Sequence, residues 1–304
     1  MKKTLISTCI VFIALALFSS TAFSWGVATH AYIGKELGHK YGYSNLQEMY
    51  GAMAPDIPWI MFDAPEDIRN AFGRQTHYEF ERVANVAWWR SQRAFAYGFA
   101  THNEVWGADH WAHIQYKPPG SEVFIEPGYT KDQAQILKNT WYPNGNPGFW
   151  ALVETLGKEP GFALFVAEAA IEHGIDILVK QNEDPTIGLS MFLAAWLRSP
   201  SVPWLLVRAY AANWDQTSLI MGAEKEFRQL IMLYGLALLQ DDTVDAVAEI
   251  AATQFGYLID PNEITPEELK LLAGQVLTGA ITLCAPSYSA VLNYTIDAIA
   301  DELD

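Results

Sequence analysis

Apolar positions recur at helical spacing along most of this chain. In 161–180 they fall at Phe162, Phe165, Val166, Ala169, Ala170, Ile177 and Leu178. The same period predicts helices over 28–39, 75–99, 98–114, 189–197, 204–214, 222–239, 244–256, 266–284 and 287–303. Thr265-Pro266-Glu267-Glu268 reads as a helix start: a cap, a proline at the first helical position, then acid. Strand-like alternation is confined to 123–125. Residues 117–150 are rich in proline, glycine and aromatics and predict a long loop holding one short helix, 131–141. The expectation is an all-α chain.

The first 24 residues break this pattern. Two lysines precede an apolar run, 4–18, too short to span a bilayer, and Ala22-Phe23-Ser24 resembles a cleavage site. Residues 1–24 are therefore expected to be a signal peptide, which makes the mature chain, 25–304, secreted or periplasmic. That leaves Cys284 as its one cysteine and excludes an intramolecular disulfide. No polar linker divides 25–304. One all-α domain is the simplest reading, with 225–304 as a possible appended helical part. No transmembrane segment is expected in the mature chain.

Charge narrows the partners. The chain has 35 acidic and 19 basic side chains, and two of the 19 are Lys2 and Lys3 in the leader. Such a surface repels phosphate backbones and anionic lipid unless bound cations offset it locally.

Candidate chemistry concentrates in 98–113, GFATHNEVWGADHWAH, which holds three of the seven histidines. On one continuous helix His102, Asp109 and His113 fall within roughly 20° of one another, a metal-site pattern. Same face is not same reach, because Cα atoms seven residues apart are separated by about 10.5 Å along an ideal helix. Gly107 offers a place for distortion. Glu104, two residues from His102, is expected to point away. His110 lies off the metal face. Asp56 sits in an apolar setting after a turn and needs a partner. Glu168, Glu172 and Asp176 recur every four residues with no cation one turn on until Lys180, so a bound cation would relieve their repulsion. His39 reads as structural, at a helix end, and His173 as out of phase with the acids.

Together these residues carry a resemblance. Trp25 with His30, Pro55-Asp56, Thr76-His77, the run 98–102, then Asp109-His110-Trp111-Ala112-His113 and an acidic helix resemble the zinc-dependent phospholipase C family. They are similar in particular to the metal-binding domain of glycosylphosphatidylinositol-specific phospholipase D, and more remotely to fungal single-strand-specific nucleases. The resemblance covers about 25–180. It implies an all-α fold with up to three zinc ions. It implies that Trp25, by its free amine and carbonyl oxygen, holds one ion with His30. Asp56, His77 and His102 hold a second, and a carboxylate of the 98–113 segment bridges the two. His113 with the acidic helix holds the third. The family places its bridging aspartate four residues after the histidine, where this chain has Trp106; Asp109 fits with three extra residues. Glu168 and Glu172 stand where relatives carry a histidine and an acid, and an oxygen-richer set binds zinc more weakly.

The implied activity is phosphodiester hydrolysis, phospholipase C-like, with Asp56 or Glu172 aligning the attacking water. Phospholipid is the expected substrate, with membrane-surface contact through aromatics at 58–62 and in 117–150. Nucleic acid is disfavoured by charge. The alternatives are a nuclease or other phosphoesterase, and a relative that binds metal without catalysis.

Overall fold

The computed structural model describes residues 25–38, 45–61, 64–157, 160–256, 259 and 264–303. Residues 1–24, expected to be a signal peptide, lie outside them, as do His39 and Phe62. Among the described residues there is no strand, and the chain is an all-helical single domain. Its α-helices are α1 Val27–Glu36, α2 Leu46–Met53, α3 Glu66–Tyr78, α4 Glu81–Asn85, α5 Arg90–His102, α6 Tyr129–Thr140, α7 Phe149–Leu156, α8 Phe162–Leu178, α9 Ile187–Trp196, α10 Val202–Tyr210, α11 Trp214–Leu238, α12 Thr243–Phe255, α13 Pro266–Cys284 and α14 Tyr288–Leu303. A tight 3-10 helix, Ala54–Ile60, continues α2, and a π-helical turn, His110–Ile114, follows α5. The alternation at 123–125 becomes one antiparallel bridge, Tyr116 to Ile125.

Two expectations are corrected. The helix expected over 75–99 is divided among the end of α3, α4 and most of α5, because the backbone turns at Glu79-Phe80 and again at Val86–Trp89. The helix expected over 98–114 stops at His102, for reasons given below. The helix start at Thr265 forms as expected. The Thr265 hydroxyl accepts from Glu268 N at 3.2 Å, and Glu268 Oε2 accepts from Thr265 N at 2.9 Å, a reciprocal capping box.

Two cores fill the molecule. One joins α2, the 3-10 helix, α3, α5 and α9–α11, around Tyr50, Met53, Phe95, Phe99 and Phe227. The other joins α6, α7, α8, α13 and α14, around Tyr129, Phe149, Ile171 and Leu292. Helix α1 lies at their seam: Ala28 and Ala31 belong to the first core, Trp25 and Ile33 to the second. Residue 225, where an appended part could begin, lies inside α11, and residues beyond it enter both cores. Among the described residues no single helix is long and apolar enough to cross a membrane.

Helices α2 and α5 touch backbone to backbone. A Cβ on Gly98 would collide with the Glu48 carbonyl, and one on Gly51 with the Phe95 carbonyl. This contact sets His102, at the end of α5, against α2. Gly98→Ala is expected to cost about 3 kcal/mol or more in chemical denaturation, the upper range for overpacking. A variant as stable as the parent would show that the two helices are not this close.

Candidate metal centre

The centre forms where the two cores meet. His30 comes from α1, Asp56 from the 3-10 helix, His77 from α3, His102 from α5, Asp109 and His113 from the turn after α5, and Glu168 and Glu172 from α8. Apart from Glu168, which is partly exposed, all of them are buried.

Local chemistry aims three of the imidazoles inward. His102 Nδ1 donates to the Ala52 carbonyl at 2.7 Å. His77 Nδ1 lies 2.8 Å from the Gly73 carbonyl and 2.9 Å from Thr76 Oγ1. His113 Nδ1 lies 3.0 Å from Glu104 Oε1. With Nδ1 as donor, each ring turns its Nε2 lone pair into the cluster, the usual arrangement of a metal-binding histidine and its supporting acceptor. Glu104 therefore does not point away: it orients His113. Its helical phase misled because the helix is no longer there.

That break is the decisive local event. Asn103 leaves the helix at φ −45°, ψ 159°. Its Oδ1 accepts from Val105 N at 2.7 Å, Trp106 N at 2.9 Å and Gly107 N at 3.3 Å. The side chain thus replaces the carbonyls that would have continued α5. Gly107 permits the fold-back, since a Cβ there would stand 2.5 Å from Asn103 N. The about 10.5 Å offset of a straight helix collapses, and Asp109 Oδ2 reaches 3.2 Å from His102 Nε2.

Asp109 becomes the hub. Oδ2 is also 3.2 Å from His77 Nε2, while Oδ1 faces His30 Nε2 at 3.4 Å. Asp56 Oδ1 lies 3.4 Å from His102 Nε2 and 3.6 Å from His77 Nε2. On the other side, His113 Nε2 is 3.8 Å from Glu168 Oε1. Four overlapping groups place their ligand atoms within 4.8 Å of one another: His30–His102–Asp109, Asp56–His77–His102, Glu104–Asp109–His113 and His113–Glu168–Glu172.

The residues fit metal ions. His77 Nε2, His102 Nε2, His113 Nε2, Asp56 Oδ1, both Asp109 carboxylate oxygens, Glu168 Oε1 and Glu172 Oε1 are buried without a hydrogen-bond partner. Leaving so many convergent polar atoms unsatisfied is costly, and nitrogen and oxygen donors at this separation suit a divalent cation. Buried His, Asp and Glu groups close enough to hold metal ions are thus present.

The electrostatics agree. Burial opposes charge on Asp109, yet the His102 and His77 imidazoles outweigh it and hold the carboxyl well below its usual range. Burial likewise opposes the His77 imidazolium, but Asp109 and Asp56 raise its pKa to about 9. His102 is raised well above its ordinary value against the same burial, by Asp109 and Asp56. Across the cluster, burial and then the Glu168 charge push Glu172 well above the carboxylate range. The metal-free chain therefore carries protons that a cation must displace.

A pH dependence follows. The raised His77 pKa stabilises the metal-free chain fully below the unfolded value of about 6.5 and ceases to do so as pH rises through about 9. Metal prefers the neutral ring, so its affinity rises over the same window. The gap in melting temperature between metal-loaded and metal-free protein is expected to widen from pH 6.5 to 9. A gap that stays constant or narrows would show that these rings do not compete for protons and metal.

Other residues are placed differently. His110 rests against the Glu104 carbonyl (3.2 Å) and Gln115 (3.0 Å), outside every ligand group. His173 turns away from Glu172 to the Tyr234 hydroxyl at 3.0 Å, and burial lowers its pKa to about 4. Asp176, read in the sequence as the third acid of the Glu168–Glu172 stripe, lies outside every ligand group. Its carboxylate accepts from Ala28 N at 3.2 Å, Thr29 N at 2.8 Å and Thr29 Oγ1 at 2.8 Å. It caps α1 from across the fold and so fixes the helix that carries His30. Its i+4 spacing after Glu172 was the available signal. Trp25 is buried, its ring 5.6 Å from Tyr129, and it leads through Gly26 into α1. Of the aromatics at 58–62, Trp59 is buried, so it offers nothing to a membrane.

No protein-family model, no curated protein and no solved structure matches this chain, so its own residues carry the functional argument.

Proposed function

We propose that this protein is a zinc-dependent phosphodiester hydrolase of the phospholipase C type, acting on phospholipids. The observation that carries this reading is the single carboxylate, Asp109, that faces His30 on one side and the His77–His102 pair on the other. A carboxylate shared between two histidine groups holds two cations close together, which suits hydrolysis at phosphorus.

His30 with Asp109, and with the amine and carbonyl of Trp25 if the chain begins there, would hold one ion. Asp56, His77, His102 and Asp109 would hold the second; His113, Glu168 and Glu172 would hold the third. Bound zinc would neutralise phosphate oxygens, lower the pKa of water and stabilise a leaving alkoxide. The protein's own groups do the rest. Asp56 stays ionised although burial opposes it, because His102 and His77 stand beside it. Its carboxylate accepts a hydrogen bond from the attacking water and aligns it. Burial and the neighbouring Glu168 push the Glu172 carboxyl well above the usual carboxylate range, and a cation at its position would favour the ionised form. Glu104 keeps His113 in the tautomer that offers Nε2.

A panel of phosphodiesters tests this reading: phosphatidylcholine, bis(p-nitrophenyl) phosphate and single-stranded DNA, with the zinc-loaded chain beginning at Trp25. Release of diacylglycerol and phosphocholine is expected, with little action on DNA. Turnover of DNA alone would replace the lipase reading with a nuclease; metal occupancy without turnover of any ester would leave a binding protein.

A further inference from the structure

Two stretches of this acidic chain contain no acid at all. Residues 82–103 lie between Glu81 and Glu104, and residues 185–214 between Asp184 and Asp215. Between them they hold five arginines: Arg82, Arg90, Arg93, Arg198 and Arg208. The fold brings the two stretches together. Ser91 Oγ is 3.4 Å from Ser199 Oγ, and Arg208 Nη2 donates to Gln92 Oε1 at 3.3 Å. The Arg208 guanidinium lies 4.8 Å from the centre of the Trp88 ring.

The same junction leaves tryptophans in water. Trp88 is 69% exposed, Trp89 66%, Trp196 60% and Trp204 50%. They are not on a loose loop. Gln92 is buried, and its Oε1 accepts from Trp88 N at 3.0 Å and Trp89 N at 3.3 Å. Trp204 stands one turn before Arg208 on α10. Arg198 is neutralised by buried Glu224, and Arg82 by Glu79. Arg93 and Arg208 remain as exposed cations bonded to no acid among the described residues, with exposed Arg90 beside them.

We propose that this tryptophan–arginine face is a docking surface for a membrane of anionic phospholipid. Indole rings favour the bilayer interface, where an apolar body and an N–H donor are both accommodated. A protein this acidic is repelled by anionic lipid everywhere except through a local cationic face. A second copy of the chain fits less well, because a two-fold interface built on this face would set arginine against arginine. The face lies about 18 Å along α5 from His102, counted from Arg90 at 1.5 Å per residue, so attachment is separable from the metal centre. It also does not depend on the hydrolase reading.

Sedimentation of the chain beginning at Trp25 with sucrose-loaded vesicles tests it. Vesicles of equal parts phosphatidylglycerol and phosphatidylcholine are compared with phosphatidylcholine alone, at low and high salt. Binding is expected to the anionic vesicles and to weaken with salt. Arg93→Gln is expected to weaken it about fivefold, and Arg93→Gln with Arg208→Gln about 25-fold. Trp88→Ser with Trp204→Ser is expected to abolish it. Arg93 has no hydrogen-bond partner for its side chain among the described residues, so its variant keeps the test valid should the others fold poorly. No binding by the parent protein, or equal binding by Arg93→Gln, overturns the proposal. So does a dimer in solution that Trp204→Ser dissociates. Vesicle binding without ester turnover leaves the docking surface standing and removes the hydrolase reading; turnover without vesicle binding does the reverse.

Discussion

Stripping the protein of metal with a chelator is expected to abolish phosphodiester turnover and lower its melting temperature by about 10 °C. At metal concentrations about a thousand times Kd, one bound ion adds about 4 kcal/mol to stability. In a domain of this size each kcal/mol is worth about 2–4 °C. The effect is large because the ligands are buried and the Glu168 and Glu172 carboxyls repel each other. Glu168, Glu172, Asp56 and Asp109 crowd one seam between two cores, and burial already raises Glu168 and Glu172 in the metal-free chain. Differential scanning calorimetry with and without chelator measures this. Coincident transitions would mean that the cluster contributes nothing to folding through metal, and the hydrolase reading would lose its support.

Asp109→Asn is expected to cost more activity than loss of any other single carboxylate. The substitution keeps the size of the side chain and removes its charge. Asp109 lies beside His30, His77 and His102, so in the proposed arrangement two ions would depend on it. Removing a group that only supports a metal ligand commonly costs 10–100-fold; removing a shared ligand should exceed about 100-fold in kcat/KM. Metal content should fall to the ion held by His113, Glu168 and Glu172. Glu168→Gln gives the contrast: it touches that third position only and should leave the other two filled. Full metal content and turnover in Asp109→Asn would remove its bridging role.

Helix identity was legible wherever one face is apolar and the other wet. Helices α8 and α13 follow the pattern to within a residue or two, and the capping box at Thr265 marks its helix start unambiguously. Helix α2 was not legible: Glu48 to Met53 are all buried, so no polar face gives a period. Helix α7 was not legible: it is eight residues long and starts at the end of the proline- and glycine-rich stretch 117–150. The segment 75–99 has apolar residues at helical spacing throughout, but the chain breaks at Glu79-Phe80 and again at Val86–Trp89, where the Gln92 side chain accepts from Trp88 N and Trp89 N and caps the next helix.

In the centre, residue type was legible and reach was not. Histidine and carboxylate pairs at His102, Asp109, His113, Glu168 and Glu172 stand out in the sequence, and the structure brings them together. Their distances depend on one side chain, Asn103, which ends α5 and folds Asp109 back. Asn103 and Gly107 bracket that break in the sequence, and both are residues that favour leaving a helix. Glu104 was missed for the same reason, since its direction was judged from a helix that stops two residues earlier.

The most direct test of the metal centre is the metal content of the chain beginning at Trp25, measured by inductively coupled plasma mass spectrometry after exhaustive dialysis. The proposed function predicts two or three zinc ions per chain, with the His30–Asp109 and Asp56–His77–His102 positions filled together. A protein that retains less than one ion per chain, while folded and offered zinc in excess, would contradict it.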